Sequence, residues 1–167
     1  MFLVISTLIV PTARSKSQEI TEQAIRIQNE EIKKLEEEKA REIERQKIEA
    51  KNQRINETFK LLTAKAHKLV GTKQGQCVIA VRNFLGVGRD QIQGYVQMKV
   101  NSFEPQVGNI IMIVGRMRHS GVVLYVNKDM VAYYDSNYKL DGRAGIRTIK
   151  VNDKKIKGYR DTGIFDL

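Results

Sequence analysis

The sequence predicts an α+β protein in which a long charged helix leads into a domain built from one short helix and several antiparallel strands. Three observations point there. Residues 17–69 contain neither Gly nor Pro and are dominated by Glu, Lys, Arg, Gln, Ile and Ala, mostly good helix formers. All twelve glycines fall at Gly71 or beyond, so the turn-rich part of the chain starts where the helix stops. After Gly71, one stretch of helical period is followed by short β-branched runs.

The chain opens on an apolar run, Phe2 to Val10, followed by the small residues Thr12, Ala13 and Ser15. At half the length of a spanning helix it makes no stable membrane span. It matches the apolar middle of a secretory signal without the basic start, since no Lys or Arg precedes Phe2. Residues 1–16 are therefore expected to be a signal peptide or a membrane-proximal apolar segment, and the protein to be exported to the cell wall, periplasm or extracellular space.

Residues 17–69 read as one long helix, partly a coiled coil. Glu22 with Arg26, Glu30 with Lys34 and Glu37 with Arg41 stand at i,i+4, the spacing that supports a solvated helix. Ile48, Ile55, Phe59, Leu62, Ala66 and Leu69 step by sevens, fours and threes, an a/d seam whose last turns should dock on the domain that follows. Ile25, Ile32, Leu35 and Ile43 are sparser and lose the register. Self-association or a partner protein along this helix is the expected use of the seam.

Within residues 71–167, Cys77, Ala80, Val81 and Phe84 fall at i, i+3, i+4 and i+7, which predicts a helix beginning near Cys77. Ile110–Val114 and Gly121–Val126 predict two strands separated by a basic turn. Val131–Tyr134 predicts a third strand and Ile146–Val151 a fourth with imperfect alternation.

Composition narrows the function. A single cysteine rules out an internal disulfide and a multi-cysteine zinc site, and two histidines leave little for a histidine-rich one, so neither metal nor cofactor is expected. The net charge of +10 favours an anionic partner. Residues 1–70 carry 14 basic and 11 acidic side chains, which leaves 15 and 8, or +7 of the total, for residues 71–167. Arg116, Arg118, Arg143 and Arg147 are the available phosphate contacts, but no aromatic–basic interleaving accompanies them, and nucleic acid is not the expected partner.

The chemistry centres on Cys77. A thiol in the first turn of a helix faces unpaired backbone N–H groups and the positive end of the helix dipole, both of which favour the thiolate. His119 is the candidate base, far away in sequence as is usual for such pairs. Its second ring nitrogen needs an orienting group, and Asp135 and Asn137 are the candidates; two apart, they share a face if the strand stays extended. Taken singly, each residue has a commoner use: a buried cysteine as core filler, a histidine between strands as a surface group, Asp-Ser-Asn as a turn. His67, beside Lys68 on the amphipathic helix, reads as solvated.

Together and in this order, these residues resemble the CHAP domains, the cysteine, histidine-dependent amidohydrolases/peptidases of the papain-like superfamily. Gly75-Gln76-Cys77 opening a helix resembles the family's cysteine motif, and Pro105-Gln106-Val107-Gly108 its entry to the first central strand. His119 to Val126 is similar to its histidine strand, Asp135-Ser136-Asn137-Tyr138 to the segment that supplies the third and fourth site residues, and Lys157-Gly158-Tyr159-Arg160 to its closing strand. The likeness covers roughly residues 71–162. Arg118 stands where a glycine usually precedes the histidine, Asn109 replaces a common acidic residue, and Val78 and Ile79 replace aromatics often found after the cysteine.

The resemblance implies a papain-like catalytic domain over residues 71–167 that hydrolyses amide bonds of peptidoglycan, as an N-acetylmuramoyl-L-alanine amidase or an endopeptidase. Cys77 would be the nucleophile, His119 the base, Asp135 and Asn137 its supports, and Gln76 a side-chain donor to the oxyanion. The competing expectation is a non-enzymatic coiled-coil adaptor or wall-binding protein whose CHAP-like domain is inactive.

Overall fold

The structure, a computed structural model, describes residues 16–115 and 118–165. The apolar run Phe2–Val10 and Arg116 lie outside the described residues. The chain divides into two units, one ending at Ile48 and the other beginning at Glu49.

Helix α1 spans Lys16–Leu69. In the first unit every described residue is solvent-exposed, including Ile25, Ile32, Leu35 and Ile43. With no burial to hold it, this stretch depends on helix propensity and on surface pairs such as Glu37–Arg41 at 3.7 Å and Glu42–Arg45 at 2.8 Å. Such exposed pairs are screened by solvent and each adds little. Among the described residues no helix is long and apolar enough to cross a membrane.

The second unit is α+β. It contains the last turns of α1, the helix α2 (Cys77–Leu85), and a five-stranded antiparallel sheet of β1 (Ile110–Ile113), β2 (His119–Val126), β3 (Met130–Ser136), β4 (Ala144–Lys150) and β5 (Ile156–Arg160) in the order β4-β3-β2-β1-β5. The strand alternation sorts side chains onto two faces. Ile110, Met112, Val122, Leu124 and Tyr134 join Ala80, Val81 and Phe84 of α2 and Leu62 and Ala66 of α1 in the main core. Ile111, Ile113, Val123, Val131, Tyr133 and Tyr159 form a smaller cluster. The seam expected in the long helix is consumed here: Leu62 and Ala66 are fully buried, Ile55, Phe59 and Leu69 pack around them, and Ile48 remains exposed. Phe84 of α2 stacks on Tyr134 of β3 at 4.2 Å between ring centroids, fixing the helix over the sheet.

Two strands are longer than the β-branched runs suggested, and both extensions matter for chemistry. Strand β2 starts two residues before Gly121, so His119 lies in the ladder, opposite Ile113 of β1. Strand β3 continues to Ser136 and takes in Asp135, opposite Gly145 of β4. Ladder pairing with a central neighbour supplies the backbone hydrogen bonds that isolated β-propensity could not promise there.

Candidate active site

Cys77 is the first residue of α2, preceded by Gln76 in extended conformation. The first hydrogen bond of the helix runs from the Ala80 N–H to the Gln76 carbonyl at 2.9 Å, which leaves the N–H groups of the opening turn for another acceptor. Gly86 ends the helix in the left-handed region (φ 74°), its N–H bonded to the Arg82 carbonyl.

The chain before Cys77 is tied to the turn between β3 and β4. The Gly71 N–H reaches the Ala144 carbonyl at 2.9 Å and the Ala144 N–H returns to Thr72 at 2.9 Å, while Gln74 and Gly75 both donate to the Gly142 carbonyl. The buried Ser136 hydroxyl contacts the carbonyls of Gly75 at 2.9 Å and of Gly142 at 3.0 Å. The approach to Cys77 and the end of β3 are thus parts of one hydrogen-bonded piece.

His119 and Asp135 meet across β2 and β3, with Nε2 of the imidazole 2.7 Å from an Asp135 carboxylate oxygen. His119 is 5% exposed and Asp135 wholly buried. The second carboxylate oxygen faces Arg147 of β4, whose Nε donates to the two oxygens at 3.0 and 3.1 Å. With Nε2 engaged, Nδ1 is the ring nitrogen left for the thiol.

Two glycines flank Asp135. It pairs with Gly145 on one side, and continuing the Val122–Tyr134 pairing by one residue sets Gly121 across from it on the other. His119 stands two residues before Gly121 and Arg147 two residues after Gly145, so each shares a strand face with its glycine. The Arg147 guanidinium folds over Gly145, where a Cβ would lie 3.4 Å from it, an ordinary contact. At Gly121 the approach is so close that a Cβ would lie 2.5 Å from the Tyr134 carbonyl oxygen and 2.6 Å from the Tyr133 ring.

The electrostatics follow the contacts. Burial alone would push the Cys77 thiol up, but the neighbouring His119 and Ser120 and the imidazole charge outweigh it and hold the thiol below its ordinary value. Burial alone would lower His119, yet its bond to Asp135, the neighbouring Cys77 sulfur and their negative charges push it up to about 9. The two shifts support each other: the imidazolium favours the thiolate, and the thiolate favours the imidazolium. The Ser120 hydroxyl, also buried, has no conventional hydrogen-bond partner of its own and faces this pair.

Of the residues singled out in the sequence, the structure brings Cys77, His119 and Asp135 together. Asn137 goes elsewhere. The strand ends at Ser136, Asn137 turns into the left-handed region (φ 65°), and its side-chain oxygen accepts from the Gly142 N–H at 2.9 Å. Asp135 and Asn137 consequently do not share a face, and Asn137 closes the β3–β4 turn. Gln76 is exposed beside Cys77 with no capping bond, so its amide is open to solvent and to a ligand. Arg147 and Ser120 are partners that local sequence did not mark as site residues.

An open groove of about 600 Å³ runs past His119, lined by Ile113, Val114, Gly115, Tyr138, Lys139, Leu140 and Lys155. Its walls are mostly apolar and its charged members are basic. Among the described residues no carboxylate lines it, and Asp135 is wholly buried. Among the described residues no group of three or more His, Cys, Asp or Glu side chains is gathered as for a metal ion. No family model, no curated protein and no solved structure matches the chain.

Proposed function

We propose that the second unit is a cysteine amidohydrolase/peptidase of the papain-like, CHAP type, which cleaves amide bonds of peptidoglycan by acyl transfer. The observation that carries this reading is the Cys77–His119–Asp135 row: a thiol at a helix N-terminus against an imidazole whose Nε2 is held 2.7 Å from a buried carboxylate. A cysteine serving only as core filler would need neither the buried carboxylate nor the basic shift of the histidine.

In the proposed mechanism the thiol proton resides on Nδ1 of His119, and the thiolate attacks the substrate carbonyl carbon. The carbonyl electrons move onto oxygen, which is received by the backbone N–H of Cys77 and the Gln76 side-chain amide. When the tetrahedral intermediate collapses, the C–N bond breaks, His119 gives its proton to the departing amine, and a thioester remains on Cys77. Water, losing a proton to His119, attacks the thioester and releases the acid and the thiol. Asp135 fixes the imidazole tautomer and stabilises its cationic form throughout.

The groove suits an anionic substrate. Lys139 and Lys155 flank apolar walls beside His119, and +7 of the chain's +10 lies in residues 71–167. An exported enzyme working on an acidic wall polymer fits both features.

The test is digestion of purified peptidoglycan by the full chain beside Cys77→Ala and His119→Ala, with mass spectrometry of the products. Freed intact stem peptides identify an amidase; cut crosslinks or shortened stems identify an endopeptidase. Digestion that persists in Cys77→Ala refutes the cysteine mechanism, and no digestion by any form refutes the proposal and returns the domain to an adaptor or wall-binding role.

A further inference from the structure

Arg147 does more than touch Asp135. Its guanidinium carbon lies 4.2 Å from the centre of the Tyr138 ring, and Tyr138 in turn meets the His119 ring edge-on at 5.5 Å with an interplanar angle of 81°. With the His119–Asp135 and Asp135–Arg147 bonds, these contacts close a circuit of four side chains drawn from β2, β3, the turn after β3, and β4. Each member has two partners inside the circuit. The strand register accounts for it: Gly145, opposite Asp135, leaves the space over which Arg147 folds back.

We propose that Arg147 and Tyr138 are positioning residues for the Cys77–His119 pair, Arg147 holding the Asp135 carboxylate aimed at Nε2, and Tyr138 holding the guanidinium and the imidazole plane in place. The proposal rests on the reading of Cys77 as nucleophile and His119 as base, and it extends that machinery to two residues that touch neither the sulfur nor the substrate carbonyl.

Charge order supports it. Thiolate, imidazolium, carboxylate and guanidinium alternate in sign along the row, so each ion is stabilised by its neighbour and the row sums to zero. Asp135 is wholly buried, and Arg147 Nε supplies the hydrogen bonds that His119 does not. Removing the terminal cation leaves the row net negative and frees the carboxylate to turn away from Nε2. Both disfavour an anion at Cys77 and raise the pH at which the thiolate forms. The other groups around this row are Ser120 on β2, Tyr95, which the Cys77 charge and Arg118 reach, and Tyr133 and Tyr134 of β3, which the Asp135 charge reaches, all of which the variants below leave in place.

The experiment follows the rate of Cys77 alkylation by iodoacetamide against pH in the full chain, with thiolate ultraviolet absorbance as a second readout. The forms compared are wild type, Arg147→Met, Arg147→Lys and Tyr138→Leu, each checked for folding by circular dichroism. Arg147→Met should move the midpoint up by about one pH unit, which is about tenfold slower alkylation on the acid side. Arg147→Lys keeps the charge without the planar fork and should recover part of the shift. Tyr138→Leu should move the midpoint in the same direction by less. If Arg147→Met does not fold, the ordering of wild type, Arg147→Lys and Tyr138→Leu still decides. Wild-type midpoints in every folded variant overturn the positioning role. A wild-type Cys77 that titrates like a free thiol overturns the nucleophile reading instead, so the two failures are distinguishable.

Discussion

Gly121→Ala tests whether the site depends on the spacing of two strands. A methyl at this position would lie 2.5 Å from the Tyr134 carbonyl oxygen, a backbone atom in the middle of β3. Opening that approach to an ordinary contact of about 3.4 Å separates β2 from β3 by about 0.9 Å. Displacement of Asp135 by that amount stretches its 2.7 Å bond to His119 to about 3.6 Å, beyond hydrogen-bond range. Overpacking of this kind costs about 1–3 kcal/mol. In a domain of this size each kcal/mol lowers the melting temperature by about 3–6 °C. Two measurements are needed, a thermal melt and the rate of Cys77 alkylation at neutral pH. The variant should lose several degrees and also lose thiol reactivity. Val123→Ala is the control: it removes fully buried side-chain volume from the same strand without forcing the strands apart, so it should lower the melt while leaving alkylation near wild type. A Gly121→Ala protein that melts and alkylates like wild type would refute the close-approach argument.

Three further outcomes are expected. The pH profile of kcat/KM on wall fragments should be bell-shaped: activity rises as the lowered thiol ionises and falls as pH climbs through about 9, where His119 loses the proton it must give to the leaving amine; a rate still rising well above that value contradicts the assignment. Lys139→Glu combined with Lys155→Glu should reduce kcat/KM on acidic wall fragments by about tenfold at low ionic strength, with the deficit shrinking as salt is added; an unchanged rate removes the groove from substrate binding. Leu62→Ala, which empties a fully buried position where α1 meets the core, should cost about 2–5 kcal/mol in denaturant unfolding, and a cost under about 1 kcal/mol means α1 is dispensable to the core.

Most elements were legible because their burial is periodic. The helix at Cys77 repeats its apolar residues with helical spacing and is stopped by Gly86, and the central strands are runs of β-branched residues. The a/d seam from Ile55 to Leu69 was legible as an apolar stripe, and its docking against α2 and the sheet follows from it. His119 at the start of its strand and Asp135 at the end of the next were expected from the sequence, and the ladder includes both. The departures came where pairing or turn geometry overrides local character. Asn137 was misplaced by assuming that the strand continues, although Asn tolerates the left-handed region and Asp141-Gly142 soon afterwards marks a turn. The roles of Arg147 and Tyr138 depend on which residue of β4 lies opposite which residue of β3, a register that local sequence does not encode.

Gly121 also defines a fingerprint. Neither His119 nor Asp135 alone is distinctive, but between them the chain has no room for a Cβ at Gly121, where the Tyr133 ring and the Tyr134 carbonyl close in. The recognisable unit is therefore His-x-Gly on one strand and Tyr-Tyr-Asp on the next, with the glycine as informative as the ionisable groups. A remote relative that has inherited this geometry should keep the glycine wherever it keeps the aromatic ring that fills its place, and where the ring has been replaced by a small residue the constraint on the glycine is relaxed. Paired retention and paired loss of this kind can be traced across diverged chains even after overall similarity has faded.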